Sequence, residues 1–208
     1  KGIGTLLIMN STSGVPAQAE PILSAKCHEK RGDVIRSVYP IALTIDNLKV
    51  MWEKFSQFRT ILGYEVKDDF WLFVSLFVEL NENEVAKARG LYWSVDDFVG
   101  MFYLTNIDGC DDALVHYTFF DRVFSGRQDL IVQMLHHVFS KYGFHRLSIE
   151  IPAFATPYTK IAAQRLGFIA EGTKRYSRHF DGKMFHGNRY GILKTEFYSR
   201  YGEAWNGK

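Results

Sequence analysis

The C-terminal half of the chain alternates strand-like and helix-like segments in an order that few folds accommodate. A run of β-forming residues at 113–121 leads to a strongly helical segment at 130–142, a short strand at 146–151 and a further helix at about 157–166. A helix that crosses between two strands makes those strands adjacent and parallel. The order therefore predicts a central parallel pair.

Two turn dipeptides, Asp96-Asp97 and Asp181-Gly182, each join two strand-like runs and so predict antiparallel hairpins. The four runs are 86–95, 98–107, 168–180 and 183–197. We therefore expect an α/β (α+β) fold: a mixed, mostly antiparallel, twisted sheet with a central parallel pair splayed apart and helices on both faces.

Two helices are predicted in the N-terminal half. Apolar residues recur at helical spacing after Asp46, and Gly63 ends that segment. A second segment at about 69–81, capped by Asp68 or Asp69, is apolar on most sides, so we expect it to be buried.

The stretch 1–37 shows no clean hydrophobic period, and we interpret it as an N-terminal extension with at most one strand. A strand at 36–44 follows it. The expected organisation is this extension, one domain at 38–200 and a tail at 201–208. The extension is a candidate arm for docking on a protein partner.

The charge balance limits the binding partners that we expect, and the cysteine content indicates the cellular compartment. The 25 basic and 23 acidic residues give a net charge of +2, so we expect neither a nucleic acid nor a membrane partner. Cys27 and Cys110 form no CxxC motif and no disulfide framework, which favours a reduced, cytoplasmic protein.

The stretch AAQRLGFIAEGTKR (162–175) predicts a sharp junction between a helix and a strand. Gly167 has no Cβ and can adopt the left-handed conformation that satisfies the last helical carbonyls. We expect Phe168 to begin the next strand and to place its ring in the core.

The same stretch carries a family resemblance. The pattern LGF-x-x-EG-x-x-R from Leu166 to Arg175, the DGK turn, and a strand ending in Lys194-Thr195-Glu196-Phe197 resemble the GNAT acetyltransferase superfamily, and more narrowly its RimJ/RimL-like branch. The resemblance covers 98–197 well and 41–97 loosely.

This resemblance implies acetyl-CoA as a cosubstrate, bound where the parallel strands splay apart. We expect no metal ion, because the histidines have no carboxylate or thiol at ligand spacing. The pantetheine arm would pair with the backbone of Phe119, Phe120 and Asp121, like an added strand. The pyrophosphate would rest on amide groups at the start of the next helix. The loop implied for it comprises Ser125, Gly126, Arg127, Gln128, Asp129 and Leu130.

That loop departs from the family pattern, so the phosphate-binding loop is degenerate. Gly126 is its one glycine, and Ser125 and Arg127 align with the glycines expected there. Asp129 places a negative charge near the phosphates, for which the Arg127 side chain would compensate. Alternatively, Ser125 or Asp129 caps the helix.

A second departure follows the strand at 146–151, where the family often has Asn and then Ser three residues later. Thr156 and Thr159 occupy these positions and would contact the cofactor or the acceptor. The alternative is that Thr156 caps a helix with Pro157 at its first position.

For catalysis, the resemblance favours Glu150 as the base. In a partly apolar cleft its pKa would be raised; the alternative is a strand residue that faces solvent and pairs with Arg or Lys. Tyr158 is a candidate acid near the thiol. The family's usual acid tyrosine aligns with Ala163, which argues against the commonest version of the mechanism. His116 and Tyr117 alternate on their strand, so they should face opposite sides.

Two functions remain open. The first is an acetyl-CoA-dependent N-acetyltransferase whose acceptor is a primary amine on a protein N-terminus, a lysine or a small molecule, with a possible homo-oligomeric state. The second is a catalytically inactive protein of the same fold that serves as a structural or interaction component, since a fold alone does not decide function.

Overall fold

A computed structural model describes residues 20–29, 32–58, 66, 68–80, 86–120, 126–155, 157–180 and 182–202. The side chains of His28, Glu29, Leu80 and Tyr158 lie outside this description. The first helix, predicted to end at Gly63, instead ends at Ser56 with Gln57 as its C-terminal cap, so that prediction is wrong. Gly63 itself lies outside the description.

Within these residues the chain forms ten strands and five helices. The strands are β1 Leu23–Glu29, β2 Gly32–Pro40, β3 Val78–Leu80, β4 Ala86–Ala88, β5 Leu91–Val95, β6 Gly100–Asp108, β7 Asp112–Phe119, β8 Arg146–Pro152, β9 Ile169–Phe180 and β10 Lys183–Leu193. The helices are α1 Ile45–Ser56, α2 Phe70–Ser75, α3 Arg127–Tyr142, α4 Pro157–Arg165 and α5 Lys194–Tyr201.

Eight strands form one sheet in the order β1-β2-β5-β6-β7-β8-β10-β9, and β3 pairs with β4 in a separate ribbon. β7 and β8 run parallel, and their register consists of the single pair Leu114↔Ser148. The pairs β1–β2, β2–β5, β8–β10 and β9–β10 are antiparallel. The predicted fold class, a mostly antiparallel sheet around one loosely joined parallel pair, is confirmed.

The chain divides into two compact units. The first comprises the described residues up to Tyr103 together with Tyr117–Gly126, and the second comprises Leu104–His116 and the described residues from Arg127 onward. The chain passes from the first unit to the second within β6 and returns to the first within β7.

Aromatic rings dominate the core of the first unit. Phe73 contacts Phe55 and Phe77, with ring centroids 5.9 Å and 4.8 Å apart, respectively. The buried members of this core are Leu43, Leu48, Met51, Phe55, Phe73, Phe77, Val78, Tyr92 and Met101. The high aromatic content of the chain is therefore used partly for packing.

Side-chain caps fix the starts of α1 and α2. Thr44 accepts a hydrogen bond from the Asn47 amide, so α1 begins before the predicted Asp46. Asp69 caps α2 by accepting from the amides of Trp71 and Leu72, as predicted. These bonds satisfy amide groups that have no partner within the helix.

The predicted helix at 69–81 is wrong in its second half. α2 ends at Ser75, and Val78–Leu80 instead pairs with Ala86–Ala88 as a strand. The β-sheet hydrogen bonds of this ribbon override the apolar character that suggested a continuous helix.

Two strands, β1 and β2, occupy a stretch where the sequence indicated at most one. Leu23 pairs with Val38, and the hairpin continues to the pair Glu29↔Gly32. The strand expected at 36–44 is therefore β2, which begins at Gly32 and ends at Pro40. Residues 23–37 belong to the sheet, so a boundary at residue 38 would fall inside a strand.

The predicted C-terminal strand is too long. β10 ends at Leu193, and the motif Lys194-Thr195-Glu196-Phe197 begins helix α5. Glu196 Oε2 accepts the Leu193 amide over 2.8 Å, and Phe197 is buried against Phe139 with ring centroids 5.2 Å apart. The cap and the buried ring together stabilise a helix where the β-rich pattern favoured a strand.

The predicted junction at the end of α4 is confirmed. Gly167 has a φ of 95°, which is a left-handed conformation, and the Phe168 amide donates to Ala163 O over 3.1 Å. The Phe168 side chain is buried.

Truncation of the Phe73 side chain on α2 tests the aromatic core. Phe73 is 0% exposed, so Phe73→Ala should lower the free energy of unfolding by about 3–5 kcal/mol, because it leaves a cavity. Trp71→Ala on the same helix removes a ring that is 68% exposed and should cost well under that. Chemical denaturation measures both, and equal losses would contradict this packing.

Candidate functional site

β8 carries the side chain at the centre of the candidate site. Leu147, Ile149 and Ile151 alternate along it as buried apolar residues, and Glu150 therefore projects from the other face. The Glu150 side chain is nevertheless only 7% exposed. A carboxylate at this depth requires hydrogen-bond partners, because loss of hydration is costly.

Two side chains of β9 donate to the same oxygen of Glu150. Ser177 Oγ donates to Oε1 over 2.9 Å, and Arg178 Nε donates to that atom over 2.9 Å. Among the described residues none donates a hydrogen bond to Oε2. The carboxylate is therefore held through one oxygen, and the other keeps its accepting capacity.

Gly187 makes room for this arrangement. β10 lies between β8 and β9, and the Glu150 side chain reaches across it at this glycine. A Cβ here would overlap Oε1 of Glu150 and lie 2.6 Å from Ser177 Oγ. Any other residue would therefore displace the carboxylate.

β9 departs from regular pairing just before these donors. Arg178 faces Phe185 on β10. Four residues earlier on β9, Lys174 faces Gly187, which is only two residues along β10. Residues 175–177, the β9 bulge, thus stand opposite one residue, and such a bulge redirects the side chains that follow it.

The centre of the β9 bulge has a strained backbone. Tyr176 has a φ of 47°, a left-handed conformation that is costly for a residue with a Cβ. Its amide donates to Nδ1 of His186 over 3.1 Å, and the two rings lie 4.6 Å apart. These contacts hold the conformation in place.

β7 contributes a titratable ring to the same unit. His116 Nε2 lies 2.8 Å from Oγ1 of Thr105 on β6. Burial, together with the Arg178 charge, lowers the pKa of His116 to about 4, although the Glu150 charge acts in the opposite direction. The imidazole is therefore neutral at pH 7.

The next residue on β7 has different surroundings. Tyr117 stacks on Phe102, with ring centroids 6.4 Å apart and planes at 19°. Burial raises the pKa of Tyr117 to about 12, so its hydroxyl stays protonated. The two neighbours thus meet different environments, as expected from alternation along a strand.

The position of Glu150 differs from both interpretations made from the sequence. The side chain is buried, which the solvent-facing alternative does not allow. It also has an arginine partner, which the prediction of a partly apolar cleft did not include. Glu150 thus has an enclosed side chain, and its arginine partner has a side chain that is 37% exposed.

Helix α3 begins at Arg127, three residues before the predicted start. Asp129 therefore lies in the first turn and does not cap the helix from outside, whereas Ser125 lies outside the described residues. Gln128 and Asp129 are exposed, and the Leu130 side chain is buried. Leu130 can thus offer a ligand only its backbone.

Gly126, one residue before α3, has a packing reason to be glycine. A Cβ there would overlap the Cβ of Cys27 and lie 2.9 Å from its Cα. Cys27 is on β1 and fully buried. The glycine that the sequence assigned to phosphate therefore also permits close contact between Gly126 and β1.

Phe119 and Phe120 end β7 in different ways. The Phe120 amide donates to Val99 O over 2.9 Å, and its ring packs on Phe55 with centroids 5.1 Å apart. The Phe119 ring lies against Gly100 on β6. Because the Phe120 amide already donates to Val99 O, an added backbone could not pair through that amide.

The other predicted contacts have mixed outcomes. Thr159 is exposed in the first turn of α4, and Pro157 begins that helix as expected. Thr156 and Asp121 lie outside the described residues, as does the side chain of Tyr158. None of these positions tests its predicted role.

Sequence reasoning missed the partners of Glu150. Ser177 and Arg178 reach it across an intervening strand, through a bulge whose register the sequence does not display. One signal was available, because Gly187 interrupts a strand-like run and a strand glycine often marks a close approach.

No helix in the described part of the chain has the length and apolar character needed to cross a bilayer. Among the same residues, no group of three or more His, Cys, Asp or Glu side chains is arranged to hold a metal ion.

Comparison with solved structures decides the fold. Mutant forms of the spermidine/spermine N-acetyltransferase SpeG from Vibrio cholerae superpose with a TM-score of 0.61 at 17% identity, covering 78% of this chain and 97% of that one. Mycobacterium smegmatis RimJ in complex with CoA-disulfide gives 0.61 at 16% identity, covering 91% and 95%, respectively. The fold is that of the GNAT acetyltransferases.

A further SpeG structure, in complex with CoA and spermine, gives a TM-score of 0.59 at 16% identity and covers 77% of this chain and 97% of that one. No protein-family model and no curated protein sequence matches the chain. The likeness is thus one of fold, at sequence identities too low to carry residue roles across.

The pKa of His116 predicts an acid-sensitive fold. Because the folded pKa, about 4, lies below the usual value of 6.5, the unfolded state binds the proton first as pH falls. This contribution to stability is complete above pH 6.5 and is lost between 6.5 and 4. His116→Gln should therefore reduce the fall in unfolding free energy between pH 7 and pH 5 by about 2 kcal/mol. Equal pH dependence of the variant and wild type in urea titrations would contradict it.

Proposed function

We propose that the protein is an acetyl-CoA-dependent N-acetyltransferase that acts on a primary amine. The observation that carries this proposal is the buried Glu150 carboxylate, held through one oxygen beside the parallel strand pair. A fold shared with enzymes solved in complex with CoA and an amine supports the same assignment. Within the fold, we place the chain in the RimJ/RimL-like branch, because the RimJ match extends over 91% of it.

In the proposed reaction, the amine nitrogen attacks the thioester carbonyl carbon of acetyl-CoA. The new C–N bond forms, the C–S bond breaks, and CoA leaves as a thiolate. Glu150 takes the proton that the nitrogen loses, directly or through one water. Tyr158 is our candidate to protonate the leaving thiolate, with backbone positioning of the reactants contributing to the rate.

The start of α3 is the proposed site for the CoA pyrophosphate. Unsatisfied amides and the helix dipole favour an anion there. Arg127, the first residue of α3, would contribute a charge-assisted contact that the missing glycines do not provide. Around it, Gly126 and Gln128 would offer backbone amides, and Asp129 would oppose binding.

The acceptor remains open among protein N-termini, lysines and small amines. SpeG is a spermidine N-acetyltransferase that has been seen with spermine and as a dodecamer. By analogy we propose an amine acceptor and a homo-oligomer for this chain, and a cytoplasmic location. Docking of a protein partner through residues 1–37 stays a prediction.

One alternative has its own support. Gly126 is explained by its contact with Cys27, without a phosphate, and the Glu150 carboxylate is already paired with Arg178. Both features would suit a catalytically inactive protein that uses the fold as a structural component. Ligand binding separates the two functions.

A thermal-shift titration with CoA and acetyl-CoA tests the proposal. Ligand at 100 times Kd should stabilise the fold by about 2.7 kcal/mol. For a chain of this length that corresponds to a rise in Tm of about 5–10 °C. Absence of any shift at millimolar CoA would end the transferase proposal and leave the structural role.

Charge reversal at the α3 start refines this experiment. Arg127→Glu should abolish most of the shift, and Lys183→Glu, an equal change of charge on the exposed hairpin, should leave it intact. A full shift in Arg127→Glu would remove Arg127 from the phosphate site.

A further inference from the structure

Three costly features of the second unit converge on one carboxylate. The β9 bulge interrupts the regular pairing of β9 with β10, and Tyr176 has a left-handed backbone conformation. At Gly187, β10 has no side chain. Glycine inside a strand and non-glycine residues at positive φ are each unfavourable on their own. Strain of this kind accumulates where the geometry of a site requires it.

The bulge determines where the two donors point. Ser177 is its last residue and Arg178 follows directly, so an unbulged β9 would carry both side chains in a different register. The same displacement brings Ser177 Oγ and Arg178 Nε to within 2.9 Å of Oε1. Gly187 then leaves the path between the strands open.

Both hydrogen bonds end on one oxygen, which makes the carboxylate asymmetric. An ionised carboxylate has about four accepting sites on its two oxygens. Oε1 uses two of its sites, whereas Oε2 accepts from none of the described residues. The two donors thus fix the rotation of the carboxylate and keep one defined oxygen available.

We propose that Ser177 and Arg178, aimed by the β9 bulge, are positioning residues that hold Glu150 by Oε1 so that Oε2 receives the proton from the acceptor amine. This inference rests on the proposed function. The proton moves from the nitrogen to Oε2 as the C–N bond forms and the C–S bond breaks, and it then passes to solvent. Neither positioning residue exchanges a proton.

Steady-state kinetics of paired variants test the inference. Arg178→Met should lower kcat about 10- to 100-fold, because the base loses its alignment, and should leave the KM for acetyl-CoA within about twofold. Arg178→Lys, which keeps a charged donor, should recover part of kcat. Ser177→Ala should lower kcat, and Ser177→Thr, which keeps the hydroxyl, should retain more of it.

Arg175→Met is the matched control, since Arg175 is an exposed residue of the same bulge. Its kcat should stay within about twofold of wild type. Wild-type kcat in both Arg178→Met and Ser177→Ala would overturn the inference. An equal loss in Arg175→Met would overturn it as well, because the bulge would then matter only as structure.

A double-mutant cycle separates this inference from the proposed function. The unfolding free energy of the double variant Arg178→Met/Glu150→Gln should differ from the value expected by adding the two single changes. The difference should correspond to at least about a fivefold change in the unfolding equilibrium constant. Combining Arg175→Met with Glu150→Gln should show no such coupling. A wild-type protein inert towards all amines would defeat the proposed function alone, and a cycle without coupling would defeat the positioning claim whatever the activity.

Discussion

The second unit is organised around the carboxylate of Glu150, whose side chain is largely withdrawn from solvent. Glu150 is almost fully enclosed, and a carboxylate in that state is tolerable only with strong donors. Arg178 and Ser177 are these donors. The β9 bulge places their side chains near Glu150, and the absence of a side chain at Gly187 leaves space for the contact. Replacing such an ion pair by apolar residues is often neutral or stabilising, so stability alone does not explain it.

The first unit has a different constraint, which is the close packing of Gly126 against β1. Gly126 admits the backbone of β1 at Cys27, and the aromatic core continues from Phe55 to Phe120. Packing therefore explains the one glycine of the loop that we propose for phosphate binding. A proposed CoA site here relies more on the helix amides and Arg127 than on glycine-rich backbone.

Local signals predicted most of the fold. The strand and helix order around the parallel pair, the Asp69 cap and the Gly167 junction all depend on neighbours within a few residues. The errors arose where distant contacts decide: α2 ends because β3 pairs with β4, and α5 forms because Phe197 is buried against Phe139. For the site, the sequence named Glu150 but not Arg178, because the β9 bulge that joins them is a property of strand register.

The most direct test of the account is the rate of acetyl transfer by Glu150→Gln at neutral pH. The amide keeps the shape of the side chain but cannot accept the proton, so kcat should fall about 10²- to 10⁴-fold while the thermal shift with CoA persists. Glu171→Gln, which alters a glutamate paired with Arg146, should retain wild-type turnover. Equal turnover in Glu150→Gln and wild type would contradict the central claim that this buried carboxylate is the base.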